Sequence, residues 1–536
     1  MRSIYLLLFM IIVVFEIILF GDIGSKIALL YERKSIYIAV YYTLVTFLGF
    51  FSVTTFFFVK NKIIFTFFVL VLFLSYGIDL VYKAINHTGF GFNDLGIALN
   101  GGAAFAMEAL SSYASEIQSV VLILLGLLFI LVIIRSIVIK KKLFISLKKI
   151  SILFIITLLL SYSITHKTTA ESQSRPTLFK VLNTSIYFLF NQLYYGEREA
   201  LKVTPSKLSS YKNIILIVDE SVGGQYLSIN GYEKETTPYL QSISDAYVNL
   251  GLASSAANCS DKSNIALMSG IQMNQLPDKS QQALKMPSIF QYAKNAGYRT
   301  HYFSAQKVGM DLQNYITNYD LLDIDNFSQL DKPYTHKSMP EQSIILATQK
   351  ALEKNDKNFI FIVKRGVHFH WENDYPVSEK YFVPTLEQNE PLLLEKKKEA
   401  LNSYANSLKY NVDLFFKYFL EKIDFFTRKD TLIIYTSDHG QSILEEGRVA
   451  THCDSTTPPK TQGIVPLLLF SNNSVIRNFD FKTNRYSHYE IFPTIQKLMG
   501  YETLRGKTLF DEVFTKQEFI SGDIFGRGHV EFTTIK

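Results

Sequence analysis

Three short segments of this chain combine carboxylates and imidazoles: Asp219-Glu220-Ser221, Val367-His368-Phe369-His370 and Ser437-Asp438-His439-Gly440. Such oxygens and ring nitrogens are ligands for zinc and similar divalent ions. Asp438 and His439 are neighbours, and neighbours diverge within a strand, so they can share one ion only where a strand has ended. Glu220 offers a further oxygen from another part of the chain. The segment Asn258–Gly270, NCSDKSNIALMSG, supplies a hydroxyl. Ser260 precedes an apolar helical start, and the free amides and dipole of a helix N-terminus favour anions. A cation beside such a hydroxyl stabilises the alkoxide, which can attack phosphorus and form a covalent phosphoserine. Ser263 is the alternative nucleophile. A plain capping role is the competing reading for Ser260. His368 and His370 share a face if their strand continues that far, and His452 lies in Ala450-Thr451-His452-Cys453-Asp454. These three are candidates for a second metal, for contact with a phosphate, or for protonating a leaving oxygen.

Each segment that carries these groups follows a continuous apolar run. Asn213–Val218 (NIILIV), Asn358–Val363 (NFIFIV) and Thr431–Tyr435 (TLIIY) lead into the three clusters, and Ile464–Phe470 is a fourth such run. Runs of this kind suit strands covered on both faces, as in a parallel sheet. Helical stretches such as Pro287–Ala296 and Glu395–Lys422 lie between them, which gives an α/β layered domain. Ligands of open α/β sheets gather at the carboxyl ends of the strands, where these residues fall.

The N-terminal part is different. Apolar stretches at Ile4–Phe20, Tyr37–Val59, Ile63–Tyr82, Val120–Ile139 and Ile150–Ile164 are candidate membrane spans, a span needing roughly 20 apolar residues. Basic residues flank their cytoplasmic ends if the N-terminus is inside: Arg2, Lys60, Lys62, Arg135, Lys140, Lys141, Lys142, Lys148 and Lys149, against Lys26, Arg33, Lys34, Lys83 and Lys167 outside. Everything after about residue 165 is then extracytoplasmic. The loop His87–Glu116 reads as a re-entrant or amphipathic segment or an ordinary loop. Residues 166–210 read as a linker in which Leu178–Tyr195 is an interfacial helix or a buried helix of the soluble part. The expected organisation is a five-helix transmembrane domain over 1–165, this linker, and a catalytic domain over 211–536. The 536 residues carry a net charge of only +6, spread along the chain, so no basic face for nucleic acid is present. Two cysteines exclude a disulfide-built scaffold.

Together these segments resemble the phosphoethanolamine transferases, which include the lipid A modifying enzymes behind polymyxin resistance. The resemblance rests on Ile217–Ser221 with Leu227-Ser228, Gly231-Tyr232 and Thr236-Thr237-Pro238, on Ser437-Asp438-His439-Gly440 with Ser442, Glu445-Glu446-Gly447, and on Ser487-His488 through Phe492-Pro493-Thr494. It covers roughly 213 to 510, and the five-span anchor is similar too. It implies an alkaline-phosphatase-like (sulfatase-like) domain with a mainly parallel central sheet. It also implies zinc, one or two ions, ahead of manganese or magnesium, held by Glu220, Ser260, Asp438 and His439, with His368 and His452 near the substrate. The implied donor is phosphatidylethanolamine. The implied acceptor is lipid A, a lipopolysaccharide core or another envelope glycan, at the inner membrane with the catalytic domain in the periplasm. There are departures. Cys259-Ser260-Asp261 stands where the family has a Cys-Gly-Thr-type turn, and counting back from Leu267-Met268-Ser269-Gly270 selects Ser260. Gly223, Gly224 and Gln225 replace an Arg and an Asp common in the family. Relatives carry several disulfides, and here a bridge between Cys259 and Cys453 across the site stays open. A phosphoglycerol transferase of the lipoteichoic-acid-synthase type shares anchor and fold. A sulfatase-like hydrolase would need Pro and Arg where Lys262 and Asn264 stand.

Overall fold

The computed structural model describes residues 1–536 apart from 22, 24–26, 29, 32–35, 87–88, 97–112, 168–174, 331–340, 456, 513–515 and 536. Most of the loop His87–Glu116, part of the 166–210 linker and Lys26, Arg33 and Lys34 thus lie outside the described residues. The chain forms two compact units, one of Met1–Gln192 with Arg527–His529, the other of Leu193–Gly526 with Val530–Lys536.

The first unit is helical. Among the described residues, α1 (Arg2–Phe20), α2 (Ile36–Phe56), α3 (Lys62–Asn86), α4 (Ala114–Lys140) and α5 (Leu147–Lys167) are the helices long and apolar enough to cross a membrane. Their outward faces are apolar, with Ile18, Ile63, Phe67, Leu122, Phe129 and Leu159 exposed, as lipid contact requires. Leu178–Tyr195 contains α6 (Thr177–Phe190), which packs within the helical unit through buried Leu178 and Phe179, not in the soluble domain. Charge helps hold it there. Lys180 on α6 and Arg175 just before it pair with Asp79 of α3, and Arg175 also approaches Glu16 of α1. Thr177 adds a 2.8 Å backbone hydrogen bond to Glu16. Buried charges persist when paired, and an apolar helix bearing a cation finds its partners inside the bundle.

The second unit is built on a sheet of β1 (Asn213–Asp219), β2 (Tyr247–Ser254), β3 (Arg299–Val308), β4 (Asn326–Leu330), β5 (Asn358–Val363), β6 (Thr431–Ser437) and β7 (Ile464–Ser471), in the order β2-β7-β6-β1-β5-β3-β4. The β6-β1-β5-β3-β4 part is parallel. β7 runs antiparallel to both neighbours. Its apolar run reported coverage on both faces and said nothing of direction. One face of the sheet packs on Ile265, Phe290, Ile491 and Phe492, the other on Tyr404, Phe415, Phe416 and Phe419. A separate antiparallel pair, β8 (Glu518–Gly522) and β9 (Val530–Thr534), follows.

Candidate functional site

β1 and β6 lie side by side in register, with Asp219 opposite Ser437. Their carboxyl ends therefore deliver Glu220 and the Asp438-His439 pair to one place. Ser260 comes from a third direction, as the first residue of α7 (Ser260–Ser269), whose N-cap is Cys259. Its Oγ lies 3.1 Å from Glu220 Oε2 and 3.3 Å from His439 Nε2. His439 Nδ1 donates to the Gly440 carbonyl at 2.7 Å, so Nε2 is the ring nitrogen turned to the site. Ser263 lies further along the same helix, and its buried hydroxyl is committed to the Ala257 backbone at 2.9 and 3.0 Å.

The loop after β5 closes over Glu220. Val367 donates its N–H to the Glu220 carbonyl at 3.1 Å. Gly366, at φ +60°, makes this approach possible, since a Cβ there would come within 2.3 Å of Asp219 Oδ1 and 2.5 Å of Glu220 O. The loop brings His368 to 5.7 Å from His452, and His452 stacks on His439 at 4.4 Å between ring centroids. Two groups of ligand atoms result, each within 4.8 Å internally: Glu220, Asp438 and His439, and Glu220, His368 and His452. Glu220 belongs to both. His370 does not join either group. It is buried against Phe369 with ring centroids 3.9 Å apart. β5 ends at Val363, so the strand alternation that would have put His368 and His370 on one face no longer operates.

The electrostatics fit a cation. Asp438 Oδ1 accepts the N–H groups of Ser221 at 3.1 Å and His439 at 2.7 Å, while the buried Oδ2 has no hydrogen-bond partner, an arrangement that is costly without a positive charge beside it. Burial, and then the negative charge of Glu220, push the Asp438 carboxyl well above the usual range. Burial would raise Glu220 too, but the hydrogen bond and charge of His439 hold it well below. Burial lowers His439, yet Asp438 and Glu220 outweigh that and lift it to about 9. Burial and the neighbouring imidazoles of His439 and His368 depress His452. The residues present fit a divalent ion: hard oxygens, imidazole nitrogens, and one orphaned carboxylate oxygen.

Sequence reasoning missed the groups that hold Glu220. Gln306 of β3 donates from Nε2 to Glu220 Oε2 at 2.9 Å and to the Lys364 carbonyl at 2.8 Å. Lys364, wholly buried, donates to Asp219 Oδ2 at 2.7 Å, and Tyr435 donates to the same oxygen at 2.9 Å. A lysine directly after an apolar strand was the available signal for this pair. Nothing around Gln306 in RTHYFSAQKV marked it. The structure also bonds Cys259 to Cys453.

Comparison with known proteins follows the same division of the chain. The sulfatase family model matches residues 212–501. The Kdo(2)-lipid A phosphoethanolamine 7''-transferase of Escherichia coli is 24% identical over 313 residues, 55% of this chain and 52% of the relative. The phosphoethanolamine transferase EptA of Helicobacter pylori is 23% identical over 272 residues, 49% of this chain and 48% of the relative. The chain spans about half the length of the curated relatives it matches. Among solved structures, the integral membrane lipooligosaccharide phosphoethanolamine transferase A of Neisseria meningitidis superposes with a TM-score of 0.64 at 19% identity, covering 98% of both chains. The periplasmic domain of EcEptC from Escherichia coli, in complex with Zn, gives 0.53 at 18% identity over 63% of this chain and 97% of that one. These likenesses show the fold, helical unit included.

Proposed function

This chain belongs to the sulfatase family, and we propose that within it the protein is a membrane-anchored, metal-dependent phosphoethanolamine transferase. The carrying observation is the meeting of the Ser260 hydroxyl with Glu220 and His439 at a helix N-terminus, beside the unpartnered Asp438 oxygen. The printed names of the relatives support the choice of headgroup, and the zinc complex of a relative with the same fold supports zinc ahead of manganese or magnesium. Two ligand groups sharing Glu220 leave room for one ion or two.

A bound cation would lower the proton affinity of the Ser260 hydroxyl and offset charge on the phosphoryl oxygens. Ser260 Oγ, its proton released to a base of the site or to solvent, then attacks the phosphorus of phosphatidylethanolamine. The bond to the diacylglycerol oxygen breaks, and that oxygen takes up a proton, with His368 at hand as donor. The N-terminal end of α7, where Ser260 sits, favours an anion such as the phosphoryl group. In the second half, an oxygen of lipid A, a lipopolysaccharide core or another envelope glycan displaces Ser260 and takes the phosphoethanolamine. Five span-length helices and a disulfide, which persists in oxidising compartments, support an inner-membrane protein with its catalytic unit in the periplasm.

The test is mass spectrometry of the purified chain after incubation with phosphatidylethanolamine and zinc. A phosphoethanolamine adduct on the peptide containing Ser260, absent from Ser260→Ala, is expected. A phosphoglycerol adduct from phosphatidylglycerol, with none from phosphatidylethanolamine, would reassign the headgroup.

A further inference from the structure

We propose that the Cys259–Cys453 disulfide is a positioning element for His452, fixing the Glu220–His368–His452 ligand group to the helix that carries Ser260. The inference rests on the reading of these groups as metal ligands. The bridge joins residues 194 apart in sequence, with Cα atoms at 4.7 Å. One end is the N-cap of α7, directly before Ser260. The other directly follows His452. A covalent tie thus runs from the nucleophile's neighbour to the imidazole's neighbour.

What else holds each ligand decides what the bridge is for. Glu220 extends β1, and Asp438 and His439 extend β6, two strands paired through Asp219 and Ser437. Those three residues are placed by the sheet. His452 has no such support: residues 448–455 form neither helix nor strand. The loop is pinned by the bridge and by hydrogen bonds close around it. Cys453 donates to the Asn258 carbonyl at 2.8 Å, and Asn258 Nδ2 to the Asp454 carbonyl at 2.8 Å. On the other side Ser442 donates to the Thr451 carbonyl at 2.8 Å. Among the described residues, the His452 ring itself hydrogen-bonds only within its loop, to Thr451 Oγ1 at 3.0 Å, and otherwise rests on His439 by stacking. Opening the bridge removes the covalent part of this attachment, so that hydrogen bonds alone hold the His452 loop against the start of α7, and leaves Glu220, Asp438 and His439 where the sheet puts them.

A double-mutant cycle on metal affinity tests this. The full-length chain in detergent is compared with Cys259→Ser/Cys453→Ser, with His452→Ala, and with the combination of all three, using zinc in competition with a chromophoric chelator. The serine pair is expected to weaken zinc binding by about tenfold or more, the usual effect of removing a group that orients a ligand. The triple variant is expected to bind as His452→Ala does, because the bridge acts through that ring. Losses that add, or a serine pair that binds as the unmodified protein, would overturn the inference and leave the functional reading intact. An unmodified chain that binds no zinc would overturn both. If the serine pair does not fold, the folded chain is reduced with a phosphine instead. Zinc release from the unmodified protein, with no further release from His452→Ala, supports the proposal. Full retention by the unmodified protein refutes it.

Discussion

Glu220 is the one residue common to both ligand groups, and that sets distinct expectations for single substitutions. Glu220→Gln should empty the whole site of metal, while Asp438→Asn should cost only the group that Asp438 shares with His439. Metal content after gel filtration distinguishes the two. Ser260→Ala should lower transfer by at least roughly a thousandfold, in the range seen when a covalent nucleophile is removed, and should abolish the adduct. Gln306 touches no proposed substrate atom. Its amide occupies Glu220 Oε2 and so fixes how the carboxylate presents its oxygens. Gln306→Ala is expected to weaken zinc binding roughly 10- to 100-fold, with Gln306→Glu worse than Gln306→Ala because it would set a second carboxylate against the first.

The turn at His488 ties the seven-stranded sheet to the Ser260 helix. Its Nδ1 accepts the Ala256 N–H at 3.2 Å, and its Nε2 donates to Thr436 Oγ1 at 3.0 Å. The ring thus braces β6 against the segment leading into α7. The Nδ1 contact requires neutral imidazole, and burial holds its pKa down to about 3 from 6.5. The sign follows directly. Below pH 6.5 the unfolded chain takes up a proton that the folded chain refuses, so this contribution to stability is complete above about 6.5 and falls as the pH drops toward 3. His488→Ala should destabilise by roughly 1–3 kcal/mol, having left a buried N–H unpaired, and its melting temperature should fall less steeply on acidification than that of the unmodified protein. Thermal unfolding followed at pH 7.5 and pH 5 reads both effects.

For the molecule as a whole, two kinds of charge burial operate in its two units. In the helical unit Glu16 and Asp79 are balanced by Arg175 and Lys180. Asp79→Asn leaves two cations short of one partner and is expected to cost roughly 3–5 kcal/mol, read as earlier unfolding or loss of the inserted protein. In the second unit Glu220 and Asp438 crowd together, and the compensation expected is a metal. Chelation should therefore lower the unfolding temperature of that unit, and zinc should restore it. At a free metal concentration of 100 times the dissociation constant, the gain is about 2.7 kcal/mol. A chain whose unfolding ignores both chelator and zinc would speak against a metal site.

Much of this was legible in the sequence because it depends on local pattern. Apolar runs of span length mark α1 to α5, and short apolar runs ending in carboxylates and imidazoles mark β1, β5 and β6 with their clusters. What the sequence left open depends on contacts between distant segments. The direction of β7 is set by its pairing with β2 and β6, which its own residues do not encode. The place of α6 follows from ion pairs with Asp79 and Glu16, residues far away along the chain. The choice between Ser260 and Ser263 is one of orientation about a helix start: one hydroxyl points to Glu220, the other to Ala257. Gln306 carries no motif, since a neutral amide in a strand gains its role only when a neighbouring strand delivers a carboxylate to it. Local composition determined which groups could do chemistry, and only the sheet order and the loop crossings decided which of them meet.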